Sequence, residues 1–391
     1  MAIWHLITSE YPPQFGGVSD YTCQLARSLA ERGGNQVHVW CPPHPSDRSI
    51  SAGITIHPDL GKYRAKDLRE LSHKLDQFPG PRRILVQWVP HGYGFYSMNL
   101  GFCLWLWNRA ARHGDKVELM VHEPFLGFGE GSWRQNIPAA LHRLMTMILL
   151  RAAERVWVSI PEWERRLRPW ALGRNLPFQW LPIPSNVPVI NDVAAVQTVR
   201  RRYGMKDGLL IGHFGTYGRP VVSLLEPILL ALGQHSIEHT ILLMGIGSEA
   251  FRQALLQKKP ELASQIRATG GLTPEDLSSH VAACDVLIQP YLDGVSTRRT
   301  SLMAGLAHGR AIVTTTGRAT EPLWATTGAV ALAPTGDLNT FVGLVSELCV
   351  NENKRTRMGD SARELYQERF DISHTIAAFQ QADEREPACA F

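Results

Sequence analysis

Cysteine is scarce and scattered. Six occur in 391 residues, at positions 23, 41, 103, 284, 349 and 389, with no Cys-x-x-Cys and no Cys/His cluster. That spacing argues against a zinc ribbon or a disulfide framework and makes a reducing, cytoplasmic setting the expected one. Charge of one sign is also lacking: the formal net charge is +4, too little over this length to predict nucleic acid as a partner. No run of about twenty apolar residues is present, so no bilayer span is expected. The first ten residues show no basic start followed by an apolar run, so no secretory leader is expected either. The Gly-x-Gly-x-x-Gly fingerprint of dinucleotide binding is missing, which lowers the case for an NAD enzyme. No Asp-x-Asp motif points to a metal, and no repeat or low-complexity tract is visible.

What is there is a globular composition, 44% hydrophobic and 19% charged, over a length that fits two α/β domains. Ala2–Ile7 reads as a buried strand, followed by a loop with Pro12, Pro13, Gly16 and Gly17. A helix from about Ser19 follows, with Tyr21, Leu25 and Leu29 at helical spacing, and then the strand Val37–Trp40. This is a βαβ unit, which implies a parallel sheet with its ligand edge at the strands' carboxyl ends. Further strands are predicted at 83–88, 117–121 and 156–159, with helices near 64–77, 97–113 and 136–153. Leu181–Pro188 holds three prolines, which forbid a helix and mark a linker. Beyond it a second alternation begins. Strands are predicted at 209–214, 240–244, 266–269, 286–289, 311–315 and 329–333. Helices are predicted near 223–233, 248–257, 274–282, 298–308 and 338–350. A charged helical stretch over 354–381 closes the pattern. The expected fold is therefore α/β, two Rossmann-like doubly wound domains, with boundaries at 1–185 and 186–365. The tail 366–391 is expected to pack back on the first domain. A cleft between two sheet edges is the expected ligand site.

The richest stretch is Asp293-Gly-Val-Ser-Thr-Arg-Arg-Thr-Ser-Leu-Met-Ala-Gly-Leu-Ala-His-Gly309. It reads as a polar turn opening a helix. Unpaired backbone N–H groups at a helix start, with Ser296, Thr297, Arg298, Arg299, Thr300 and Ser301, suit a phosphate or diphosphate. A capped helix with solvated arginines is the plainer alternative. Gly16 and Gly17 allow close backbone approach to a phosphate or sugar, or simply make a turn. Asp20 caps its helix, faces solvent, or contacts an acceptor. Gly245 and Gly247 form a second strand-end loop suited to a base or ribose. His122 and Glu123 end a strand at the expected active edge, and Glu123 is able to orient His122 or act as a general base. Between 134 and 174, eight arginines interleave with Trp133, Trp157, Trp163 and Trp170. That pattern suits an anionic membrane surface, or a core helix with a solvated face. The aromatic runs at 92–96 and 102–107 suit an acceptor site or a core.

In sequence order, Ser9-Glu-Tyr-Pro-Pro-Gln-Phe-Gly-Gly-Val-Ser-Asp-Tyr21 and Val121-His-Glu-Pro124 are followed by Pro182-Ile-Pro-Ser-Asn-Val187. Then come Gly212-His-Phe-Gly-Thr216, Met244-Gly-Ile-Gly-Ser248 and Ala283-Cys-Asp-Val-Leu-Ile-Gln-Pro290. This succession resembles the family 4 glycosyltransferases of GT-B fold over nearly the whole chain. The resemblance implies transfer of a sugar from a nucleotide-diphosphate donor to a hydroxyl acceptor: a glycan, a lipid-linked sugar or a small molecule. It implies retention of configuration, no metal and no further cofactor. The first domain would take the acceptor and the second the donor, with His122 at the anomeric centre. Two departures stand out. The family's paired glutamates fall on Ser296 and Ala304, and its diphosphate-binding Arg falls on Thr216, with Arg219 nearby. Arg298 and Arg299 are the expected replacements. Asp293 and Glu321 are candidate ribose or sugar contacts. A sugar-nucleotide epimerase or hydrolase, and a non-catalytic nucleotide- or glycan-binding homologue, are the competing readings.

Overall fold

A computed structural model describes residues 2–14, 16–43, 53–129, 133–203, 208–234 and 238–384. Phe15, Cys389 and the end of the expected tail, 385–391, lie outside the described residues. The chain divides into two compact units, Met1–Pro182 with Ile372–Phe391, and Ile183–Asp371. The first cut falls inside the proline-rich segment.

The first unit contains β1 (Ile3–Ile7), α1 (Gly17–Gly33), β2 (Gln36–Trp40), β3 (Ile54–His57), α2 (Ala65–Leu75) and β4 (Arg83–Trp88). It continues with α3 (Leu100–His113), β5 (Lys116–Val121), α4 (Asn136–Ala152), β6 (Ala153–Val158), α5 (Pro161–Leu167) and β7 (Phe178–Trp180). The sheet runs β3-β2-β1-β4-β5-β6-β7, with every pairing parallel. Strands such as Ile84–Val86 are apolar without alternation because helices cover both faces. Order reverses between β1 and β4, so the loops after these two strands flank a crevice of the kind that binds ligands. Helix starts are locally encoded. The Asp67 carboxylate accepts the N–H groups of Lys62 and Arg64 at 2.8 and 3.0 Å, and Asn99 caps α3 by accepting from Phe102.

The second unit contains α6 (Val193–Tyr203), β8 (Leu209–Phe214), α7 (Arg219–Leu232), β9 (His239–Met244), α8 (Ser248–Lys258), β10 (Ile266–Ala268) and α9 (Pro274–Ala283). It continues with β11 (Val286–Gln289), α10 (Thr300–Ala307), β12 (Ala311–Thr316), α11 (Leu323–Thr326), β13 (Ala331–Pro334), α12 (Leu338–Val350) and α13 (Glu352–Arg369). Its parallel sheet runs β10-β9-β8-β11-β12-β13, which places the switch point between β8 and β11. Two apolar clusters, one centred on Leu287 and Leu302 and the other on Ile288 and Val313, form its core.

The strands β3 and β7 and the helices α5, α6 and α11 are not among the elements expected from the sequence. The single helix expected over 354–381 is in fact two: α13, and α14 at Ile372–Glu384. The break has a cause. Phe370 is buried beside Trp324, and the N–H groups of Phe370 and Asp371 both return to the Tyr366 carbonyl, closing the helix. The chain then enters the first unit. There Phe379 packs edge-on against Trp4 and Trp157, at centroid distances of 5.2 and 4.7 Å. Arg83 and Arg155 donate to the Phe379 and Ala382 carbonyls of α14, the latter in the last turn, where a helix leaves its acceptors unpaired.

Candidate functional site

In the second unit the loops after β8, β9, β11 and β12 converge at the carboxyl edge. Gly245 (φ 112°) lies so close to the loop after β8 that a Cβ there would sit 2.4 Å from the Gly215 carbonyl oxygen. Gly294 (φ 86°) packs against the backbone of Gly317 in the same way. Only glycine permits these approaches, so bare backbone walls the site. Thr216 is exposed, and Arg219 is the exposed first residue of α7. Gly247 immediately precedes α8.

Arg298 and Arg299 both pair with Asp293, and the Arg299 guanidinium lies 4.7 Å from the Tyr291 ring centroid. Burial alone would raise the Asp293 carboxyl, but Arg299 and Arg298 hold it below the usual carboxylate value. The N-cap residue Arg299 makes no side-chain bond to the start of α10, and the Leu302 N–H in its first turn is directed to the Tyr291 hydroxyl. Ser301 there shares a 2.9 Å hydrogen bond with the Tyr291 hydroxyl, whose own pKa burial pushes up to about 12. Thr300 is partly exposed beside it. The cluster therefore offers two guanidinium groups, a hydroxyl and a helix start around one carboxylate, a geometry suited to an anion with several oxygens.

Four of the expected residues are wholly or partly buried. Ser296 and Thr297 are fully buried and do not present their side chains at the surface. Glu321 is also buried, and its oxygens are taken up by protein. Oε1 accepts from the Thr297 N–H and hydroxyl at 3.0 and 2.6 Å, and Oε2 from the Trp324 indole at 2.7 Å. Burial raises its pKa against the pull of these bonds. Glu321 thus braces the arginine turn from inside. Asp293 gives both carboxylate oxygens to arginine and so is a counter-ion in this arrangement.

In the first unit, His122 stands just beyond β5. Its Nε2 lies 2.8 Å from the Gln87 Oε1, its carbonyl accepts from the Trp163 indole, and its ring meets Tyr21 edge-on at 5.2 Å. Burial lowers its pKa to about 3, so the imidazole is neutral at pH 7. Gln87 holds the ring in place. The exposed Glu123 carboxylate approaches the His91 ring at 3.8 Å. The Glu10 carboxylate lies over Gly16 and accepts the Ser19 N–H at 3.0 Å. Gly17 is open, and Asp20 lies in the first turn of α1, where its charge suits the helix dipole.

Sequence reasoning missed Gln87, Gln289, Tyr291 and Glu10. The first two carried a signal: each is a single amide in an otherwise apolar strand on the β4 or β11 side of a switch point. Gln289 is fully buried and donates to the Phe214 carbonyl at 3.0 Å. Of the basic-aromatic stretch, Trp157 and Trp163 belong to the core. Arg143 and Arg166 lie against Phe125, Arg165 and Arg168 pair with Glu162 and Glu164, and Arg174 donates to carbonyls ending α4. Among the described residues no group of three or more His, Cys, Asp or Glu side chains is placed to hold a metal. No described helix is long and apolar enough to cross a membrane.

No family model matches the sequence, and no curated protein does. Solved structures do match in shape. Sucrose-phosphate synthase from Thermosynechococcus elongatus superposes with a TM-score of 0.77 at 17% identity, over 98% of this chain and 99% of that one. Anabaena HepE in complex with UDP and glucose gives 0.71 at 14%, over 97% and 99%. WaaG, a glycosyltransferase involved in lipopolysaccharide biosynthesis, gives 0.67 at 13%, over 97% and 99%. With two parallel-sheet Rossmann-like domains matched along almost their whole length, the chain has the fold of the GT-B glycosyltransferase structures.

Proposed function

We propose that this protein is a glycosyltransferase that moves a sugar from a nucleotide-diphosphate donor to a hydroxyl acceptor, with retention and without a metal. The observation that carries the reading is the Arg298–Arg299 pair at the start of α10, on the ligand edge of the second unit. A leaving diphosphate needs charge stabilisation, and two guanidinium groups at a helix start can give it without a metal ion. The donor would displace Asp293 from the arginines, and the backbone of Gly245 and Gly247 would lie beside its base or ribose. Thr216 and Arg219 flank the same edge. Acceptor binding falls to the first unit, where the neutral His122 ring is held by Gln87 and the exposed Glu123 is the candidate base. The HepE structures hold UDP, glucose or UDP-glucose, which makes UDP the first nucleotide to try.

The test is thermal unfolding with UDP, GDP, ADP, CDP and dTDP. A nucleotide that binds only the folded state stabilises it by about 2.7 kcal/mol at a hundredfold excess over its dissociation constant. A shift with one base and its loss in Arg299→Ala are expected. Unfolding that no nucleotide alters, or an unchanged shift in Arg299→Ala, would overturn the phosphate placement.

One observation favours a second reading, a non-catalytic nucleotide binder. Serine and alanine stand at 296 and 304, the places of the family's glutamates, so no carboxylate reaches a donor from those positions. Nucleotide binding with no transfer to any acceptor would select it.

A membrane surface is a further proposed partner. Trp133, Ile137 and Leu144 expose 72%, 61% and 41% of their surface. With Asn136, Ala140 and Leu141 they line a shallow groove of about 650 Å³ along α4. Neither α3 nor the adjoining α4 contains an acidic residue, while Arg112, Arg143 and Arg151 lie on them. An apolar face on helices that carry arginine and no acidic residue matches an anionic lipid surface.

A further inference from the structure

Beyond β4 the backbone does something costly. Gly94, Phe95, Tyr96 and Ser97 have φ of 75°, 49°, 52° and 71°. Three consecutive L side chains in the left-handed region are disfavoured by contact between Cβ and the following carbonyl. The turn persists because it is pinned. The N–H groups of Ser97 and Met98 return to the carbonyls of Gly94 and Phe95, and Asn99 donates to the Tyr93 carbonyl at 2.8 Å. The His142 Nε2 lies 2.8 Å from the Ser97 carbonyl, while its Nδ1 accepts the Leu126 N–H at 3.4 Å. Those two bonds require a neutral ring protonated on Nε2, and burial keeps its pKa low.

The strain yields no packing. Phe95 is 52% exposed and Tyr96 94%, whereas Tyr93 of the same aromatic run and Phe102 of the next are core. Strain that holds a side chain out of the core is expected at binding sites. The location agrees, because this loop follows β4 at the switch point of the sheet. It abuts the loop after β1, where a Cβ on Gly92 would lie 2.2 Å from the Ser9 hydroxyl oxygen. It also meets the loop after β5, through His91 and Glu123.

We propose that Phe95 and Tyr96 form a stacking platform for a pyranose ring of the acceptor, with His142 as the positioning residue for their turn. This deepens the proposed transferase reading and rests on it for the word acceptor. A pyranose has an apolar C–H face and a rim of hydroxyls. Aromatic rings beside the exposed polar groups of His91 and Glu123 offer partners for both. A lipid surface would need only exposed area, with no strained turn at the ligand edge of a sheet.

The experiment is saturation-transfer NMR on the full chain with a panel of methyl α- and β-D-hexopyranosides, read without any donor. At least one pyranoside is expected to receive saturation on its ring C–H protons, and Tyr96→Gly is expected to reduce that signal severalfold. Tyr96→Gly should not lower the Tm, because glycine accepts φ near 52° and the lost ring is solvent-exposed. His142→Gln, whose amide can still donate and accept, should keep the signal, and His142→Ala should lose it. Absent saturation in the wild type, equal saturation in Tyr96→Gly, or a lowered Tm in that variant would overturn the proposal. So would Tyr96→Gly losing binding to phosphatidylglycerol vesicles while its pyranoside signal stays intact. Failure of the nucleotides to alter unfolding, with the pyranoside signal present, would overturn the donor reading and leave the platform standing.

Discussion

Asp293 bridges two guanidinium groups that a diphosphate would also claim. The substitution Asp293→Asn removes the competing charge while keeping the shape, so it is expected to tighten binding of the selected nucleotide diphosphate about tenfold at low salt. That corresponds to about 1.4 kcal/mol, and titration calorimetry at two ionic strengths checks it; weaker binding would mean that the carboxylate contacts the ligand. His122 gives a second prediction, in pH. Its folded pKa of about 3 lies below the ordinary value of 6.5, so between these values the unfolded chain binds the proton first. Stability is full above pH 6.5 and falls as the pH drops toward 3. His122→Gln should therefore flatten the fall in unfolding free energy between about pH 6.5 and 5 by about 1 kcal/mol per unit at most. A residual slope remains from His5, which burial, His38 and His57 push down to about 3. Parallel slopes in the two proteins would disprove the assignment. Residue roles were the least legible part of the sequence. The arginine pair was readable from its position at a helix start. Its counter-ion was not, because a carboxylate five residues away can equally face a ligand, and only side-chain packing decides.

The elements themselves were largely readable, since buried parallel strands and amphipathic helices leave strong patterns. What escaped was short or atypical. β7 is three residues long, α5 begins at a proline and has only seven, and α6 shows one buried side chain, Val199. The break between α13 and α14 escaped because neither glycine nor proline marks it; a buried phenylalanine does. In α4 the pattern was visible but its partner was not, since an apolar stripe looks the same against a core or a lipid. The structure divides that helix into a buried face with Ala139, Met145 and Leu149 and an outward face with Ile137 and Leu144. Ile137→Glu with Leu144→Glu should abolish sedimentation with phosphatidylglycerol vesicles and leave the Tm within about 1 °C, because exposed positions contribute little to stability. Unchanged sedimentation would remove the lipid surface as the partner of this face.

At the scale of the whole molecule, the second unit is one continuous stretch of chain, whereas the first is completed only by α14. The Phe379 side chain is fully buried, and truncating such a ring to alanine costs about 3–5 kcal/mol. A fragment spanning 183–371 is accordingly expected to unfold cooperatively by itself. A fragment spanning 1–182 should not, until a peptide covering 372–384 is supplied; circular dichroism melts of the three samples decide it. A cooperative melt of 1–182 alone would show that α14 is dispensable. The same discontinuity sets an order of events on the ribosome. The first unit begins synthesis first yet cannot be finished until the entire second unit has emerged. For that interval Trp4 and Trp157 lack their closing side chain, and the nascent chain carries an open aromatic face that a chaperone can hold.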